Sequence, residues 1–150
     1  MAGGAGPRAD REDDLSRNPM SFETVLFQLP CGARGFRLEA SGTFSGEDAA
    51  AMFKLIDSGG ELHGLPILIL TRNVSSIASE ARRVYVARGN QGDRDPWMAV
   101  VVTNPIILVT ARFLIRITRN ERIALFSREP EAVQWLDERT REDAARAKAT

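Results

Sequence analysis

The 150-residue chain contains one cysteine, one histidine and one tyrosine. Cys31 has no second thiol to pair with, which excludes an intrachain disulfide and any Cys-x-x-Cys metal or redox site. With His63 as the sole imidazole, a zinc site would need several carboxylates gathered by the fold. A Ser or Cys nucleophile would likewise have a single histidine to serve as its base. His63 stands in Glu61-Leu-His-Gly-Leu-Pro66, which reads as a connecting loop. Aromatic residues make up 7% of the chain, too few for a base-stacking platform. The formal net charge is zero, so no bulk attraction to nucleic acid or anionic membrane is expected. Long hydrophobic runs are missing too: the most apolar stretch, Pro105 to Thr118, is interrupted by Arg112 and Arg116 and is too short to span a bilayer. The first residues carry Arg, Asp and Glu without an apolar core, unlike a secretory signal, so a cytoplasmic location is expected. No GxGxxG, P-loop, GxSxG or HExxH pattern occurs. These absences lead to an expectation of no enzyme activity, no metal, no cofactor, no nucleic-acid partner and no stable membrane insertion.

What is present is ordinary for one soluble domain, with 43% hydrophobic and 27% charged residues. Arginine outnumbers lysine eighteen to two, a bias typical of G+C-rich bacterial coding. Charge is uneven along the chain. Arg72 to Arg128 holds ten arginines against four acids, whereas Met1 to Thr71 holds six basic and ten acidic residues. Residues 1–20 have little to bury and are expected to be disordered. Residues 21–140 form the domain, and 141–150 a helical tail that frays.

Periodicity gives the elements of the domain. Thr24–Leu29 and Phe36–Ser41 read as two strands joined by a Pro/Gly loop, the second alternating Phe36, Leu38 and Ala40 with polar residues. Ser45 suits an N-cap, with Glu47 and Asp48 in the first turn of a helix that buries Ala49, Met52, Phe53 and Ile56 before Gly59-Gly60. Ile67–Leu70 is a short apolar run typical of a strand covered on both faces. Ser76 or Ser75 is expected to cap a second helix with Ile77, Ala81, Val84 and Tyr85 inward. Trp97–Val102, a helix from Pro105 to about Arg119, the strand Ile123–Phe126 and a helix opening near Pro130 follow. The order β-β-α-β-α-β-α-β-α predicts an α/β fold with a mixed, mostly parallel sheet.

The helix from Pro105 to Arg119 has more apolar surface than one contact needs. At 100° per residue Arg112, Arg116 and Arg119 share a narrow face, while apolar residues including Ile106, Phe113, Leu114 and Ile117 cover roughly two-thirds of the circumference. The surplus calls for a second contact, with a neighbouring helix or with another subunit; the expectation is self-association, as a homodimer, with Ile106, Phe113, Leu114 and Ile117 at the interface. Arg82 and Arg83, together with Arg112 and Arg116, would make a basic surface for carboxylates or phosphates of a partner protein.

Two stretches carry a resemblance. Ile69-Leu-Thr-Arg-Asn-Val-Ser-Ser-Ile-Ala-Ser-Glu-Ala-Arg82 runs from a strand into a helix, and Ile123-Ala-Leu-Phe-Ser-Arg-Glu-Pro-Glu-Ala-Val-Gln-Trp-Leu136 runs from a last strand into a helix with a Trp-Leu pair. With the element order they resemble the STAS family of sulfate-transporter and anti-sigma-factor-antagonist domains, more closely its small bacterial STAS/SEC14-like branch. The resemblance implies a non-enzymatic regulatory module that binds another protein and is controlled at the start of its second helix. The family pattern there is Asp-Ser, a small residue, then Gly; Ala78, Ser79, Glu80 and Ala81 occupy those positions. Ser79 is therefore the first regulatory candidate, with Ser76 and Ser75 beside it, although the Asp and the Gly are replaced. The alternative implied by the branch is a small carrier of a lipid-like hydrophobic ligand.

Overall fold

The computed structural model describes residues 22–149; the expected N-terminal tail lies outside the described residues. The elements are β1 (Phe22–Gln28), β2 (Arg34–Phe44), α1 (Gly46–Ile56), β3 (Ile67–Ile77), α2 (Ser79–Arg88), β4 (Met98–Val101), α3 (Pro105–Thr118), β5 (Ile123–Phe126) and α4 (Glu129–Ala149), with a single 3₁₀ turn at Gly92–Arg94. They form one five-stranded sheet in the order β1-β2-β3-β4-β5. β1 is antiparallel to β2 and every other pair is parallel, as the element order predicts.

Spatial order thus follows chain order, and this fixes where the helices lie. Each parallel crossover steps one strand in the same direction, and crossovers share one hand. Three successive steps of one hand put α1, α2 and α3 on the same face of the sheet. There Phe36, Leu38, Ala40, Met52, Phe53, Ile56, Ile67, Met98 and Ile107 form the larger core. The opposite face is left to α4, whose Ala132 and Leu136 close over Leu68, Leu70, Ala99 and Val101. The central strands, covered on both sides, need apolar residues at successive positions, and Ile67–Leu70 and Met98–Val101 supply them.

Local chemistry sets the boundaries. At the start of α1 the Asp48 N–H donates to Ser45 Oγ at 3.0 Å and the Ser45 N–H returns a bond to Asp48 Oδ2 at 2.9 Å, a reciprocal capping box. Asn104 caps α3 by accepting from the Ile106 N–H at 2.8 Å, with Pro105 in the first turn.

Two expectations about this region fail. The third strand does not stop at Leu70 but runs to Ile77, pairing Thr43 with Ser76 and Phe44 with Ile77 beyond two irregularities in register. Gly42, at φ 69°, sits at the second of these, where a left-handed residue lets the strand bulge. Ser75 and Ser76 are therefore strand residues, Ser76 Oγ lying 3.0 Å from Thr43 Oγ1. The N-cap of α2 is Ala78, which offers no side-chain hydrogen bond. The last helix runs unbroken to Ala149, and Trp97 Nε1 donates to its Asp143 at 2.7 Å.

Candidate interaction surface

α3 packs on β3 and α2 through Ile107 and Leu114, both buried. Its outer side stays uncovered. Ile106 is 72% exposed, Val109 67%, Phe113 57% and Ile117 52%. The spacing of three, four and four residues stacks them into one stripe along the helix. Seven large apolar side chains are exposed among the described residues, and four of them lie on this stripe. Arg112 and Arg116, also exposed, border one edge, and α3 contains no acidic residue.

Three of the four residues expected at an interface, Ile106, Phe113 and Ile117, are thus brought together on the outside. Leu114 is not: at 8% exposure it faces the protein's own core. Val109 takes its place on the stripe, a position the helical wheel places beside Ile106 and Phe113. Arg82 and Arg83 are exposed on α2, which packs beside α3.

Ser79 is the first residue of α2 and is half-buried. Its hydroxyl donates to Glu80 Oε1 at 3.4 Å. The backbone brings α2 against the start of α1, since the Ala78 N–H bonds the Phe44 carbonyl at 2.9 Å. A Cβ on Gly46 would stand 2.8 Å from the Glu80 Cβ, so the close approach of the two helix starts depends on that glycine. Glu47, Asp48 and Glu80 place three acids around the two starts.

Other polar clusters are closed on themselves. Arg88 Nη2 donates to Asp57 Oδ1 at 2.7 Å and to Asp95 Oδ1 at 2.6 Å, and its guanidinium lies 4.5 Å from the Phe53 ring centroid. Burial alone would lower the pKa of Arg88, but the two carboxylates more than offset it and raise the value. Asp95 also accepts from the Gln91 N–H at 2.8 Å, so the pair pins the 89–97 loop to α1. On the far side Arg122 stacks 4.2 Å from the centroid of Trp97, whose Nε1 is held by Asp143. The His63 ring, in the loop expected for it, bonds the Ile56 carbonyl at 3.0 Å. Cys31 is exposed, and its backbone N–H ties the β1–β2 loop to Asp137 at 2.8 Å. The pairing of Arg88 with Asp57 and Asp95 is not apparent from sequence, since Asp57 lies 31 residues from Arg88.

The sheet order and helix placement define a SpoIIAA-like α/β fold, the fold of STAS domains. A similar solved structure is an uncharacterized protein of the DUF3478 family with a SpoIIAA-like fold from Shewanella loihica PV-4. It superposes with a TM-score of 0.57 at 17% identity, covering 82% of this chain and 99% of that one. The chain belongs to DUF7793, a domain family of unknown function, whose model matches residues 43–140. No curated protein matches the sequence. Among the described residues no helix is long and apolar enough to cross a membrane.

Proposed function

We propose that the chain is a non-enzymatic regulatory module that docks another protein on the outer face of α3. The observation that carries this is the stripe Ile106, Val109, Phe113 and Ile117, more than half exposed throughout on one side of the helix. Clustered apolar surface rimmed by charge is the signature of a protein-binding patch. The arginines at its border, with no acid on the helix, suit a partner whose own apolar patch has an acidic rim. A second copy of this chain would bring the same arginine-bordered helix to the contact, which makes a different protein the better occupant. The carboxylates of Asp48, Asp57, Asp95, Asp137 and Asp143 serve structural ties, in keeping with a role in binding and not in catalysis. A STAS-type module would be controlled at Ser79; here Arg82 and Arg83, three and four residues on, can reach a phosphate, while Glu80 opposes it.

The test is affinity capture and cross-linking with the wild type and with Phe113→Ser, Ile117→Ser and Arg112→Glu/Arg116→Glu variants. A partner retained by the wild type should be lost from the stripe variants and weakened by charge reversal. Capture that is indifferent to all three would refute docking on α3. Light scattering serves as the companion measurement. A dimer that Phe113→Ser dissociates would put a second copy on the stripe instead. Ser79→Asp and Ser79→Ala then report on control: equal binding by both, with no phosphate on the native protein, leaves Ser79 a helix-start residue.

A further inference from the structure

A second feature lies under the helices and not on them. In the middle of the sheet, on the face covered by α1, α2 and α3, Ile69 of β3 and Val100 of β4 are half-buried. Their neighbours two residues away on the same face, Ile67, Met98 and Val102, are almost completely buried. The same strands' other face, under α4, shows no such gap, with Leu68, Leu70, Ala99 and Val101 all buried. Exposure therefore rises at the centre of the layer, where a packed α/β core has least of it.

The cause is an apolar cavity of about 130 Å³ between Ile69 and Val100 below and Met52, Tyr85, Ala111 and Leu114 above. Its walls expose only hydrocarbon, since the Tyr85 hydroxyl is enclosed and turns no surface to the space. Thr71, a polar residue on its border, donates its hydroxyl to the Val101 carbonyl at 2.7 Å. A water inside would find no polar partners, and it needs two to four. A core cavity of about 150 Å³ lined by Leu, Ile and Phe stays dry and admits benzene or xenon. This one is similar in size and chemistry, and unlike a sealed cavity it opens partly toward the surface, which gives a ligand a way in. It falls well short of the several hundred Å³ that a whole lipid-sized ligand requires.

We propose that this cavity is a binding site for a small non-polar group, an aromatic ring or the end of an aliphatic chain of about six carbons. Small side chains open the space: Ala111 on α3 and Ala40 on β2 both line it. The helix that carries Ala111 also carries the exposed stripe, on a different side. A group seated below α3 therefore supports the helix without touching the docking residues, and the site stands independently of the docking function.

Benzene is the probe, with thermal unfolding and methyl NMR of the full chain as readouts. Saturating benzene should raise the wild-type Tm by about 3 °C, by mass action on the native state. It should also shift the methyl signals of Ile69, Val100 and Leu114 ahead of all others. Ala111→Leu should fill the space, raise the Tm without ligand and abolish the response. Ile106→Ser, on the outer stripe, should leave the response intact. An unchanged wild-type Tm and spectrum would overturn the proposal, and so would an Ala111→Leu protein that responds like the wild type. If Ala111→Leu does not fold, the wild-type methyl shifts decide alone. A response lost in Ile106→Ser would place benzene on the stripe, which refutes the cavity site and leaves the docking surface standing.

Discussion

The Tyr85 hydroxyl is buried without a hydrogen bond of standard geometry, although Thr118 and Asn120 are polar neighbours. Burial raises its pKa above the ordinary 10.0, the two neighbours only partly opposing it and Asp95 adding to the rise. An acid whose folded value is raised gives a stability contribution that is complete below the unfolded value and is lost as pH climbs through the folded one. Tyr85→Phe should therefore raise stability by about 1 kcal/mol at neutral pH, by removing a buried unmatched group. It should also extend the folded range above pH 10, which urea titrations at pH 7 and above 10 would show. Arg88 presents the opposite case. Asp95 is almost wholly buried and depends on it, so Arg88→Ala should cost about 3–5 kcal/mol through the carboxylate left behind. Asp57 is more exposed, and Asp57→Asn should cost clearly less in the same denaturation series. Neither Tyr85 nor Arg88 announces these roles in sequence: each depends on residues that only the folded chain brings near.

Among the elements, α1 and α2 start side by side with unequal caps. Ser45 closes a full capping box, whereas Ala78, with extended backbone at φ −64° and ψ 151°, has no side-chain acceptor to offer. Ala78→Ser should therefore stabilise the protein by about 1 kcal/mol, measured by chemical denaturation, without altering the sheet. The misplaced cap shows where sequence reasoning ran out. After Leu70 the buried residues are Thr71, Val74 and, in part, Ile77, each three apart, because the register shifts against β2 break the alternation of a strand. A spacing of three beside two serines looks like a helix entrance. The alternation of Phe36, Leu38 and Ala40, the Ser45 cap and the Pro105 start follow local rules without interruption, and all were legible. For α3 the width of the apolar arc was legible but its direction was not. A helical wheel shows that the surplus exists; packing against β3 decides that Leu114 points in and Val109 out.

For the whole molecule, order of elements was enough to yield the mixed sheet, since chain order and spatial order coincide. The coverage of its two faces also sets a gradient of local stability. β3 and β4 are flanked by strands on both sides and by helices on both faces, while β1 is an edge strand with Val25 and Leu26 exposed. Native-state hydrogen exchange should find the slowest amides in Leu68–Leu70 and Ala99–Val101, and exchange in Thr24–Gln28 faster by orders of magnitude. Uniform protection across the five strands would contradict this gradient.

That one helix seals an entire face has a consequence for how the protein is made. Synthesis runs from the N-terminus, and each β-α unit can add to the sheet edge left by the unit before it. α1, α2 and α3 can thus cover their face progressively as the chain emerges. α4 cannot, because it follows all five strands in the chain and its Ala132 and Leu136 rest on strands β3 to β5. Until the ribosome has passed it, Leu68, Leu70, Ala99 and Val101 remain bare on a sheet already formed. The nascent chain therefore carries this bare apolar face from the synthesis of β3 and β4 until α4 has emerged.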